Sequence, residues 1–276
     1  MYCEKIDLYE YFKIERPLGA EGTLSVCCHD LSKETGLDRR RPAMLVIPGG
    51  GYGMVSDRED EPIVAEYLRH GFNAFSLRYS VAPCTYPTQL REAAMAMIFI
   101  RENAEKYGVM KDWVAAIGFS AGGHLCGCLG NMFECEAVSD LRHSEYIRPE
   151  AIILSYPVFI YSEDYSKCHF GSFDNVSGHD KKIMEYLSLD KHVKADSSPA
   201  CIWHTVDDDC VPVYGSLVAA QRYLEEKVPF EIHLFRSAPH GVSVCTEEVN
   251  SVYPDVRPWV ELSVTWLKGT GFKIYS

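Results

Sequence analysis

Short, largely apolar runs recur along the chain at Ala43 to Ile47, Phe72 to Leu77, Val114 to Ile117, Ala151 to Ser155, Ala200 to Thr205 and Phe230 to Phe235. A strand with one wet face alternates polar and apolar residues; a run without alternation belongs to a strand covered on both faces. Between the runs lie helical segments. Pro62 to His70 has proline in its first turn and Gly71 as its stop. Thr88 to Tyr107 places Leu90, Ala94, Met97 and Ile98 at helical spacing before Gly108. Further helices are expected from Ala121, over Tyr214 to Glu226 and over Val256 to Lys268. This βα rhythm predicts an α/β fold with a mostly parallel sheet and helices on both faces. Ile6 to Phe12 and Thr23 to Cys28 read as strands joined by Pro17, Gly19 and Gly22, an antiparallel start. The 276 residues are then expected to form a single domain, interrupted at about 156–198 by a polar and aromatic loop-and-helix excursion.

Composition excludes several classes of partner. With 27 Lys and Arg against 39 Asp and Glu, a net charge of -12 opposes nucleic acid and anionic lipid. The 11 cysteines are scattered without a CxxC, so reduced thiols in the cytoplasm are expected rather than a disulfide framework. Met1 to Glu15 mixes charge with apolar residues and lacks the core of a signal peptide. Trp113 to Phe133 has no charged residue, but its five glycines, Ser120, His124 and Asn131 assign it to a strand, turn and buried helix rather than a membrane span.

Chemistry concentrates at Gly118-Phe119-Ser120-Ala121-Gly122. In this pattern a tight strand-to-helix turn exposes a serine at the carboxyl end of the sheet. Alone, the pentapeptide also suits an ordinary glycine-rich turn. A serine nucleophile needs a base and an orienting carboxylate, and both occur at later strand ends: Asp207, Asp208 and Asp209 after Ala200 to Thr205, and His240 after Phe235. The oxyanion of the intermediate needs N–H donors, for which Gly49, Gly50 and Gly51 are suited by lacking a Cβ. The same loop lacks the features of a phosphate-binding loop, and no cofactor is expected. His124, Cys126 and Cys128 do not form a convincing metal set, because their spacing turns Cys126 away. Ser56 to Glu59 reads as a capping box, and Arg78 as a structural arginine or a substrate contact.

Ile47-Pro48-Gly49-Gly50-Gly51-Tyr52, Leu77-Arg78-Tyr79, Gly118 to His124, His204 to Pro212 and His240-Gly241 together resemble the α/β-hydrolase superfamily over nearly the whole chain. The likeness is to its acetyl esterase branch, which is hormone-sensitive-lipase-like and xylan-esterase-like. The resemblance implies Ser120 as nucleophile, Asp208 as acid and His240 as base, with oxyanion N–H groups from Gly50, Gly51 and Ala121. Pro48 stands where many relatives carry the histidine of His-Gly-Gly-Gly, as it also does in esterases of sugar acetates. The implied activity is that of a serine carboxylesterase on short acyl esters of sugars or xylo-oligosaccharides. An arylformamidase or peptidase of the same fold, or a non-catalytic ligand-binding protein, is the alternative. The expected partner is a small ester, and a homo-oligomer is compatible with the sequence.

Overall fold

The computed structural model describes residues 1–34 and 39–275. In chain order its elements are β1 (Tyr2–Asp7), α1 (Leu8–Phe12), β2 (Thr23–Cys28), β3 (Arg41–Ile47), α2 (Glu61–Arg69), β4 (Asn73–Arg78), α3 (Thr88–Glu102) and β5 (Val109–Phe119). There follow α4 (Ala121–Asn131), α5 (Glu136–Ser139), β6 (Ala151–Ser155), α6 (Phe170–Ser177), α7 (Lys181–Tyr186), β7 (Ala200–Thr205), α8 (Tyr214–Glu225), β8 (Phe230–Phe235) and α9 (Trp259–Gly269). The strands form one sheet in the order β1-β2-β4-β3-β5-β6-β7-β8. β1 and β2 pair antiparallel, as do β2 and β4, and all later pairings are parallel.

The strand period of two explains why the apolar runs are unbroken. Leu45, Ile47, Ala116, Leu154 and Ile202 point into a core under α3, α4 and α8. Their neighbours Met44, Val46, Ile117, Ile153 and Trp203 point into the opposite core with α2 and α9. Each such fully buried aliphatic side chain stabilises the fold by roughly 1.5–3 kcal/mol before entropy is charged against it.

Several boundaries differ from expectation, and β5 opens at Val109 rather than Val114. The strand expected over Ile6 to Phe12 is the end of β1 followed by α1. Asp7 caps this helix by accepting the Glu10 N–H at 3.1 Å, and Leu8 and Phe12 share a buried face at helical spacing. α3 stops at Glu102, five residues before Tyr107, because the Asn103 side chain turns back on the Phe99 carbonyl at 2.9 Å and Gly108 closes the turn at φ 63°. α9 opens at Trp259 rather than Val256, after Pro258. Between β6 and β7 the chain carries α6, α7 and a single turn at Leu189–Lys191. The start of α6 lies against Gly51, next to the carboxyl end of β3. Among the described residues no helix is long and apolar enough to cross a membrane.

Candidate active site

β5 ends and α4 begins on either side of Ser120, whose φ of 53° and ψ of -119° lie where L-residues are strained. The turn is possible only because its flanks are glycine. A Cβ on Gly118 would stand 2.1 Å from the Gly122 carbonyl oxygen, and one on Gly122 would stand 2.2 Å from those of Ile47 and Pro48. The strain, of order 1–3 kcal/mol, is opposed by hydrogen bonds on both sides of the residue. The Ser120 N–H donates to the Ser155 carbonyl at 3.0 Å, and its own carbonyl accepts from Val158 and His124, both at 3.1 Å.

The side chain of Ser120 begins a chain of hydrogen bonds. Its hydroxyl lies 2.8 Å from His240 Nε2, and His240 Nδ1 lies 2.7 Å from Asp208 Oδ2. Only the tautomer with the proton on Nδ1 satisfies both contacts when Ser120 donates. The other oxygen of Asp208 accepts the N–H groups of Cys210 and Val211 at 2.9 and 2.8 Å. His204 Nε2 lies 3.3 Å from Oδ2, so this carboxylate has donors on all sides. Burial pulls the Asp208 pKa upward, but the hydrogen bonds from His204, His240 and Cys210 and the charge of His240 outweigh it. The carboxyl is therefore held well below the usual range and remains ionised. Asp207 and Asp209 serve the same loop differently. Asp207 accepts from the Ser237 hydroxyl at 2.6 Å and the Ala238 N–H at 3.2 Å, and Asp209 accepts the His240 backbone N–H at 3.2 Å.

The glycine loop after β3 approaches this array from the side. A Cβ on Gly49 would come within 3.0 Å of the Ser120 Cβ, so backbone lies directly against the serine. Gly50 and Gly51 adopt φ of 121° and 63°. The N–H groups of Gly50, Gly51 and Ala121 have no partner among the described residues. The neighbouring Gly49 N–H is taken, at 2.8 Å, by Glu59 Oε2. This contact overturns the capping-box reading of Ser56 to Glu59. Ser56 makes no side-chain cap to the short turn Asp57–Glu59, and Glu59 is buried, with Oε1 accepting the Tyr156 hydroxyl at 2.6 Å. Tyr156 in turn packs edge-on against the His240 ring at 4.9 Å. Glu59 thus joins the glycine loop to the residue that walls the imidazole.

His169 is a further residue of the site that sequence reasoning missed. It precedes α6, its Nδ1 accepts the Ser172 N–H at 3.3 Å, and the Ser172 hydroxyl is 2.8 Å away. Accepting at Nδ1 leaves the ring proton on Nε2. A Cβ on Gly51 would lie 3.9 Å from His169 Cε1. Burial lowers its pKa, and the charge of His240 lowers it further against a smaller opposite effect of Asp208. Glu59 carried only the capping-box pattern, which pointed to a helix start and not to the site, and His169 carried no motif, since a histidine in a polar segment looks like a surface residue.

Other candidates are placed elsewhere. Arg78 is partly exposed and pairs with Asp57 and Asp60 at 3.3 and 3.7 Å. Tyr52 is buried, its hydroxyl 2.7 Å from His124 Nδ1. His124 Nε2 donates to the Leu187 carbonyl at 2.8 Å, so both ring nitrogens are engaged by protein. Cys126 turns to the Ile153 carbonyl, away from His124 and Cys128.

A family model described as BD-FAE matches residues 30–223. The chain is 36% identical over 218 residues to endo-1,4-beta-xylanase B of Butyrivibrio fibrisolvens, covering 76% of this chain and 34% of that protein. It is 29% identical over 177 residues to an acetylxylan esterase of Xylanibacter ruminicola, covering 62% of this chain and 34% of that one. The chain thus spans about a third of the length of these two curated relatives. Among solved structures, an acetyl ester-xyloside bifunctional hydrolase from Caldicellulosiruptor lactoaceticus superposes with a TM-score of 0.84 at 30% identity, over 98% of this chain and 97% of that one. The family model covers more than half of the chain, and the chain belongs to the BD-FAE family of α/β hydrolases.

Proposed function

We propose that the chain is a serine carboxylesterase that removes short acyl groups, acetyl foremost, from acetylated sugars or xylo-oligosaccharides. The observation that carries this reading is the unbroken array from Ser120 through His240 to Asp208, beside three N–H groups without protein partners. Residues 1–276 work as one unit in this reading, with the excursion over the site.

Ser120 Oγ attacks the ester carbonyl carbon while His240 Nε2 takes the hydroxyl proton. The carbonyl oxygen becomes an oxyanion, which the N–H groups of Gly50, Gly51 and Ala121 receive. On collapse the C–O bond to the alcohol breaks, and the imidazolium returns its proton to the departing alkoxide. A water then repeats the sequence on the acyl-enzyme, releasing the acid and Ser120. Asp208 stays ionised throughout, fixing the Nδ1–H tautomer and balancing the imidazolium.

The sugar-acetate half of the reading draws support from the relatives described as acetylxylan esterase and acetyl ester-xyloside hydrolase. An arylformamidase or peptidase would use the same groups and differ in the pocket for the leaving group. The test is covalent. A fluorophosphonate should label the native chain at Ser120, and Ser120→Ala should abolish labelling and lower turnover of acetyl esters by several orders of magnitude while keeping the native circular dichroism. Native-like turnover in a folded Ser120→Ala protein would overturn the mechanism.

A further inference from the structure

A cleft of about 410 Å³ opens beside the triad, lined by Tyr165 and Ser166 from the excursion and by Asp209, Cys210, Val213 and Tyr214 from the loop after β7 and the start of α8. Tyr165 and Tyr214 are 65% and 41% exposed as whole residues. A single exposed aromatic needs no explanation, but two in one cleft leave apolar ring surface open to water at the same place. Lys167, paired with Asp164 at 3.2 Å, lies 5.6 Å from the Tyr214 ring centre and ties the two walls together.

The cleft borders the acid side of the triad, for Asp208 is among its lining residues. Asp209 follows Asp208, which is two hydrogen bonds from Ser120. On the other wall, the Tyr165 ring packs edge-on against Phe170 at 5.0 Å, and Phe170 follows His169, whose ring lies beside Gly51.

We propose that this cleft is a distal sugar subsite, holding a pyranose unit of the alcohol half of the substrate away from the ester itself. The proposal rests on the carbohydrate-ester reading above and adds the residues that recognise the chain. The C–H faces of a pyranose ring are weakly positive and pack on the negative face of a phenol ring. Its hydroxyls find acceptors in the Asp209 carboxylate and in the oxygen of the Ser166 hydroxyl, which itself donates to Asp164 at 2.6 Å. An anionic ligand is disfavoured by the carboxylates of Asp208 and Asp209 and the net charge of -12. A lipid tail is disfavoured because polar groups are interleaved with the rings.

The experiment compares kcat/KM on an acetylated xylo-oligosaccharide of three or more units with kcat/KM on 4-nitrophenyl acetate. Native protein, Tyr165→Ala, Tyr214→Ala and Tyr214→Phe are each measured on both, and the ratio cancels any misfolded fraction. Both alanine variants should lose about five- to tenfold in the ratio, through KM rather than kcat, and Tyr214→Phe should keep most of it. If the native chain hydrolyses both esters and the alanine variants keep the ratio within about twofold, the subsite is wrong while the esterase reading stands. If the native chain hydrolyses 4-nitrophenyl acetate but not the oligosaccharide ester, the carbohydrate reading fails and the subsite with it.

Discussion

Asp207, Asp208 and Asp209 are neighbours in sequence, yet each holds a different atom of the segment that carries His240. Residue reasoning alone left the three open, because a run of aspartates after a strand shows no direction; only the turn made by the Cys210 and Val211 N–H groups aims the middle one inward. The consequences of substitution should differ in kind. Asp208→Asn leaves an amide that can present its NH2 group to the imidazole and favour the wrong tautomer, so kcat should fall about 10³- to 10⁴-fold. Asp207→Asn and Asp209→Asn keep an acceptor oxygen for the loop and should lose about tenfold or less, the scale of one ordinary hydrogen bond. Comparable losses at 207 and 208 in steady-state kinetics would move the assignment. Ser120 and His240, the proposed nucleophile and base, could be singled out by the same stretch of reasoning because each follows a strand and has small neighbours, and the structure brings them within 2.8 Å of each other. Glu59 could not, since its partners Gly49 and Tyr156 are 10 and 97 residues away and only the folded backbone unites them.

Within α4, the elbow helix, side chains are buried all round, and its one histidine has become a structural bridge. Burial lowers the His124 pKa from 6.5 to about 4; the Leu187 carbonyl opposes the shift and the charge of His192 adds to it. The folded chain therefore refuses a proton that the unfolded chain accepts, so between pH 6.5 and 4 the unfolded state binds more protons and stability falls as pH falls. The size of the gap caps this loss at roughly 3 kcal/mol. Asp208 acts in the same direction but lower: its stabilisation is present above the ordinary carboxylate pKa and is lost only as pH drops beneath it. Melting temperatures from pH 7 to 4.5 should thus decline in the native chain and decline less in His124→Gln. Parallel slopes would show that the bridge does not govern acid stability. Element by element, β6 and β7 were readable to the residue because their residues have one use, burial in a sheet, whereas β2, buried at alternate residues, and β8, a partly exposed edge strand, matched in bounds but not through full burial. α1 was misread because five residues of helix leave a pattern that also fits a strand, and the Asp7 cap that decides between them became visible only when paired with Glu10.

For the whole molecule, the distribution of polar and apolar groups around the sheet's carboxyl edge decides how large an acyl group fits. Phe159 and Phe173 of the excursion are buried in the core beneath α4 and do not line an open groove. The groups brought over the glycine loop are polar: His169 and Ser172 lie within 3.9 Å of where a Gly51 Cβ would be, and Asn175 donates to the Gly51 carbonyl at 2.9 Å. Each added methylene gains about 0.8 kcal/mol only where apolar wall receives it. Against imidazole, hydroxyl and amide it gains less and displaces contacts that hold the N–H groups in place. Catalytic efficiency should therefore be highest for acetyl and propionyl esters and fall toward octanoyl, with the loss in kcat as well as KM because a crowded acyl group disturbs the oxyanion loop. Truncation of the clamp gives the converse: Asn175→Ala should narrow the gap between acetyl and octanoyl by slowing the acetyl ester. Efficiency rising steadily from acetyl to octanoyl on 4-nitrophenyl esters would mean that the excursion swings away to open an apolar groove, and the short-acyl reading would fall.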